Sequence, residues 1–147
     1  MRIRSLSAAC CLSILALAAC GKDDPTGPKN EEITGTWNAT KVEYVGKTSA
    51  ITVDLIAEGA TATLVINADN SFEYVLTPSG GVQEVTGGTW ELDSELFRAT
   101  PSGMSWSWEW TVTLVTGTLT LAGAGAEYDC DHDGTPEDAV WNLVLTR

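Results

Sequence analysis

Thr61-Ala62-Thr63-Leu64-Val65-Ile66-Asn67-Ala68-Asp69-Asn70-Ser71-Phe72-Glu73-Tyr74-Val75-Leu76-Thr77 is the stretch that decides the fold. Its first run is rich in β-branched residues, which suit a pleated, half-buried surface. Its last run, Ser71 to Thr77, alternates apolar with polar side chains, the period of a strand with one face on a core. Ala68-Asp69-Asn70 between them is turn chemistry, because short polar side chains bond to the backbone just ahead and tolerate left-handed conformations. Together they read as a β-hairpin.

The same pattern extends both ways. Upstream, Gly35 to Val45 alternates, Gly46 to Ala50 turns, and Ile51 to Glu58 is a strand or irregular segment. Downstream, Pro78-Ser79-Gly80-Gly81 breaks the chain and Val82 to Thr86 resumes it. Gly87-Gly88 then allows a bend or bulge before Thr89 to Leu92. Further strands are expected over Leu96 to Thr100, Met104 to Val115, Thr118 to Ala122, Ala126 to Asp129 and Ala139 to Thr146. Turn signals recur about every eight to twelve residues and no amphipathic helix interrupts them. The expected fold is all-β, an antiparallel up-and-down barrel or barrel-like sandwich of about eight to ten short strands over residues 33–147. Gly-Thr-Trp occurs at Gly35 and again at Gly88, each as a strand start; two copies are too few for a solenoid.

Ahead of this domain stands a leader. Arg2 and Arg4 precede an apolar run from Leu6 to Ala19, too short to span a bilayer as a mature helix but right for a secretory signal peptide. Leu17-Ala18-Ala19-Cys20 resembles the bacterial lipobox, which implies cleavage after residue 19 and acylation of Cys20; an ordinary secreted protein cut nearby is the other reading. Two or three acyl chains make a durable anchor where one does not. Residue 21 is Gly rather than Asp, which by the sorting signals of such lipoproteins implies the outer membrane of a Gram-negative bacterium. Residues 20–32 (CGKDDPTGPKNEE) read as the lipidated cysteine and a flexible polar linker.

Charge narrows the partners. The whole chain carries −12, and losing Arg2 and Arg4 with the leader leaves about −14, since all 20 acidic residues follow Cys20. Nucleic acid needs a basic footprint and is excluded. Adsorption to anionic lipid is excluded on the same ground, so any membrane link is covalent, through Cys20. Of the four cysteines, Cys10 and Cys11 leave with the leader and Cys20 takes lipid. Cys130 stands alone, and no disulfide framework exists.

With the strands laid out, residues 33–147 resemble the lipocalin-like domains of bacterial envelope lipoproteins. The residues that carry the resemblance are Gly35-x-Trp37, the Asp69-Asn70-Ser71-Phe72 turn, Gly88-x-Trp90, Leu119-x-Leu121 and the closing Leu145-Thr146-Arg147. It implies a barrel whose closed end is crossed by Trp37 under Arg147.

Three groups of residues are candidates for chemistry. Trp106, Trp108 and Trp110 share a face if the run from Met104 to Leu114 is one strand; they are core, or they wall a site for a small apolar ligand. Asp129, Asp131 and Asp133, followed by Gly134, match the first half of a calcium loop, with the Thr135 carbonyl and Glu137 or Asp138 left to close the shell. The twelfth position of such a loop would be Val140, so the match to a helix–loop–helix calcium site fails. The segment is a solvated acidic turn or a calcium-stiffened hairpin loop. Cys130 and His132, the only histidine, are too few for zinc. No Gly-x-Ser-x-Gly elbow exists and nothing selects a catalytic carboxylate pair, so no enzyme is expected.

The leading expectation is a monomeric, lipid-anchored envelope lipoprotein whose barrel binds a small apolar or amphipathic ligand, with no cofactor required and calcium at most structural. The alternative is an interaction lipoprotein with a filled β core; a carboxylate enzyme stands third.

Overall fold

A computed structural model of the chain describes residues 27–147, so the leader and the expected lipidation site at Cys20 lie outside the described residues. A helical turn, α1 (Asn30–Ile33), leads into β1 (Gly35–Gly46), β2 (Thr52–Asp54), β3 (Thr61–Ile66), β4 (Ser71–Thr77) and β5 (Glu84–Asp93). Then come β6 (Leu96–Pro101), β7 (Trp108–Val115), β8 (Thr118–Tyr128) and β9 (Glu137–Thr146). Every neighbouring pair is antiparallel. The sheet order runs β2-β1-β3-β4-β5-β6-β7-β8-β9, and β1 also pairs with β9. That last pairing closes an eight-stranded up-and-down barrel, with β2 as an extra strand on the second half of β1, where Tyr44 faces Val53. Closure leaves no open edge except at the short β2.

Alternation decides which side chains go in. Ala62, Leu64 and Ile66 of β3, Phe72 and Tyr74 of β4, Trp90 of β5, Phe97 and Ala99 of β6, Trp110 and Val112 of β7 and Ala139, Trp141, Leu143 and Leu145 of β9 are buried. Thr and Glu are common on the outer face, with Lys41, Arg98 and several Val among them. Apolar-in and polar-out is the reverse of a barrel that faces lipid. Two irregularities reset the phase: one in β1 between Ala39 and Lys41, the other in β8 between Leu121 and Ala124, where Gly123 is left-handed. After them Val42, Tyr44, Ala124 and Ala126 again point inward.

One end is closed. Ile33 of α1 and Trp37 of β1 are fully buried there, and the Trp37 indole N–H donates to the Ile33 carbonyl at 2.7 Å. Arg147 packs over Trp37, as the resemblance implied. The α1 turn replaces the last residues of the expected linker; a single turn carries no period by which a sequence could announce it. Its Glu32 carboxylate accepts the Lys29 backbone N–H at 2.7 Å.

Three strand expectations are corrected. Gly87-Gly88 does not bend the chain, because β5 runs through both and pairs with β4 and β6. Likewise β8 is one strand from Thr118 to Tyr128, its glycines absorbed by the bulge. The run from Met104 is not all strand. The β6–β7 ladder ends at Ala99 paired with Trp108. Beyond it Pro101 has no N–H to give, and Gly103 is left-handed, so residues 102–107 loop out.

Candidate functional site

The open end of the barrel holds a cup of about 210 Å³. Its wall comes from the mouths of six strands. Tyr44 enters from β1, Tyr74 and Leu76 from β4, Glu84 and Thr86 from β5, Trp108 from β7, Ala126 and Glu127 from β8 and Trp141 from β9. The aromatic rings brace one another. Tyr44 stacks on Trp141 at 5.8 Å and on Tyr128 at 4.3 Å, while Tyr74 and Trp108 meet Trp141 edge-on at 5.4 and 5.1 Å. Such mutual packing adds rigidity beyond area burial. Below the cup the interior is filled, with a residual void of only about 10 Å³ between the aromatic and Leu side chains.

Three polar atoms in this wall and floor are unspent. The Tyr74 hydroxyl and the indole N–H groups of Trp110 and Trp141 are buried, and none has a hydrogen-bond partner among the described residues. Buried polar groups are nearly always paired, so each such atom calls for an explanation. Tyr74 is only 7% exposed and Trp141 4%, and both line the cup. Burial, and then the nearby Tyr44 and Glu84, push the Tyr74 phenol well above its ordinary pKa. Burial does the same to Tyr44, with Tyr128 and Glu84 adding to it. Both phenols therefore stay neutral, able to donate and to accept.

The three expected tryptophans part company. Trp110 is buried in the filled interior, Trp108 forms part of the cup wall, and Trp106 stands on the loop before β7, 48% exposed and edge-on to Trp108. They do not form a single wall. Glu84 and Thr86, which the sequence reading passed over, do belong to the cup. The missed signal is register: both have the parity of buried Trp90 on the same strand.

The acidic loop lies between β8 and β9. Carboxylate oxygens of Asp129, Asp131 and Asp133 come within 4.8 Å of one another. They already accept the loop's own N–H groups. Asp129 takes those of Asp133 and Gly134 at 3.0 and 2.9 Å, Asp131 that of Asp133 at 3.2 Å, and Asp133 that of Thr135 at 2.8 Å. Of the other expected ligands, Glu137 begins β9 and one of its carboxylate oxygens accepts the Ser49 hydroxyl at 2.8 Å. Three carboxylates alone fall short of the six to eight oxygens that calcium takes. Cys130 is buried beside this loop, and burial, followed by the charge of Glu137, raises its thiol pKa. His132, at a left-handed backbone position, is exposed.

No protein-family model matches the chain, and no curated protein matches it in sequence.

Proposed function

We propose that this chain is a lipid-anchored binding module of a bacterial cell envelope, whose barrel holds a small amphipathic ligand in the cup at its open end. The observation that supports it best is the buried, unpaired Tyr74 hydroxyl in the wall of a preformed aromatic cup. A ligand that pairs with this group and covers the rings would remove the cost of leaving it unpaired. Anchoring rests on the basic start, apolar run and Leu17-Ala18-Ala19-Cys20 of the leader.

The filled floor favours a second reading, an interaction lipoprotein with no small ligand. One experiment separates the two: native mass spectrometry of the full chain purified in detergent. A small molecule that travels with the wild type and is lost from Tyr74→Phe supports the binding module; a bare chain in both supports the second reading. Labelled palmitate should enter the wild type and not Cys20→Ser, and that variant should leave the envelope fraction. An unlabelled wild type overturns the anchor.

A further inference from the structure

The cup has a sign as well as a shape. On β5, Glu84 and Thr86 occupy the inward register, opposite Leu76 and Tyr74 of β4. The barrel thus carries an exposed carboxylate on the inner side of its rim, beside aromatic rings. Among the described residues the ion pairs are Lys41 with Glu43, and Arg98 with Glu91 and Glu109; Glu84 has none. No basic residue lines the cup.

We propose that the cup is a site for a small organic cation, an amine on a compact aromatic or aliphatic body, with the Glu84 carboxylate facing the ammonium and the Tyr74 hydroxyl accepting one of its N–H bonds. This deepens the binding-module reading and rests on it. Cations are drawn to the electron-rich faces of aromatic rings, and half-buried Trp108 supplies such a ring in the wall. An exposed carboxylate on the rim attracts a charge of opposite sign entering the mouth. The chain's net charge of −12 raises the local concentration of cations and repels anions. The volume of about 210 Å³ lies below the roughly 300–1,000 Å³ of sites for drug-sized molecules, so the ligand is small rather than a lipid chain. An uncharged sugar or alcohol would use the rings and leave Glu84 unanswered.

The test uses three probes of one shape: 2-phenylethylamine, 2-phenylethanol and 3-phenylpropionate. Each is titrated into the full chain in detergent and read by calorimetry and tryptophan fluorescence. The amine should bind at least about tenfold more tightly than the alcohol, and the propionate should not bind. Glu84→Gln should bring amine and alcohol to within about twofold of each other, leaving the alcohol unchanged. Glu84→Lys, on an exposed rim position and so free to fold, should lose the amine and admit the propionate. Equal binding of amine and alcohol by the wild type, or an amine preference that survives Glu84→Gln, overturns the cation site and leaves the binding module standing. A wild type that binds none of the three, with native spectra showing a bare chain, overturns both.

Discussion

The Arg147 guanidinium lies over the Trp37 indole, 4.5 Å from the ring centroid, and donates to the Thr34 carbonyl at 3.2 Å. This contact ties the end of β9 to the start of β1, the seam along which the barrel closes. Arg147→Ala should cost about 1 kcal/mol of unfolding free energy, the range of an exposed cation–aromatic contact. Arg147→Lys should recover part of that, because a point charge keeps the attraction and loses the flat stacking. Trp37→Ala should cost about 3–5 kcal/mol, since it opens a cavity at a fully buried position. Denaturant melts of the singles and the double then isolate the pair. A coupling near zero would show that the two side chains merely adjoin.

A second site of rigidity is Gly88. A methyl group there would sit 2.0 Å from the Thr100 carbonyl oxygen and 2.9 Å from the Phe72 ring. The obstacle is backbone, which cannot swing aside, so Gly88→Ala should push β5 away from β6 and cost about 3 kcal/mol. Gly87→Ala, whose nearest neighbour is the Phe72 carbonyl at 3.4 Å, should be much milder. Thermal melts of the two variants side by side check this; equal losses would mean that strand propensity, not the close approach, sets the cost.

These two glycines also show where sequence reading stops. The hairpin over residues 61–77 was legible because its alternation and its turn agree, and Trp37 under Arg147 was legible through the resemblance. Gly87-Gly88 read as a bend because a glycine pair signals freedom; here it is needed for close approach, a fact held by β6 and Phe72 rather than by neighbours in sequence. The alternation through Met104 to Ser107 continues past the last residue of β6 able to pair, so period alone overran the strand. Glu84 and Thr86 were missed because a polar alternating residue is normally solvent-facing. Only closure of the barrel turns that register inward at the mouth.

The three tyrosines should titrate late. Burial leads the upward shift at Tyr44, Tyr74 and Tyr128, from an ordinary value of 10. A phenol whose pKa is raised by folding adds stability that is complete below its unfolded pKa and is lost as pH rises toward its folded one. The folded chain should therefore show little tyrosinate absorbance just above pH 10, then gain it together with loss of tertiary circular dichroism, the unfolding releasing the remaining protons. A smooth titration near 10 with the fold intact would contradict the buried placement of Tyr44 and Tyr74.

Calcium should act weakly. Asp129, Asp131 and Asp133 converge but are largely exposed, and one oxygen of Glu137 is already taken by the Ser49 hydroxyl. Affinity in the ~0.1–1 mM range of extracellular calcium modules is the expectation, so micromolar calcium should leave the melting temperature unchanged and calcium at about tenfold the dissociation constant should add about 1.4 kcal/mol. The variant with all three Asp changed to Asn should show no increment. An identical increment in that variant would place the effect elsewhere on this acidic surface.

Tyr74→Phe separates stability from binding. In the free chain the Tyr74 hydroxyl has no hydrogen-bond partner among the described residues, and an unpaired buried polar group costs about 1–3 kcal/mol. Removing the oxygen while keeping the ring, with its edge contact to Trp141, should therefore leave the free chain as stable or raise its melting temperature. The same change should weaken 2-phenylethylamine by about tenfold, the loss of one hydrogen bond to a charged group. A residue that served only packing would move neither quantity. One that held a buried water would lower stability and spare the amine. Opposite signs for stability and affinity are what a wall shaped around a ligand produces, because its polar atom is kept for an occupant that the folded chain alone does not supply.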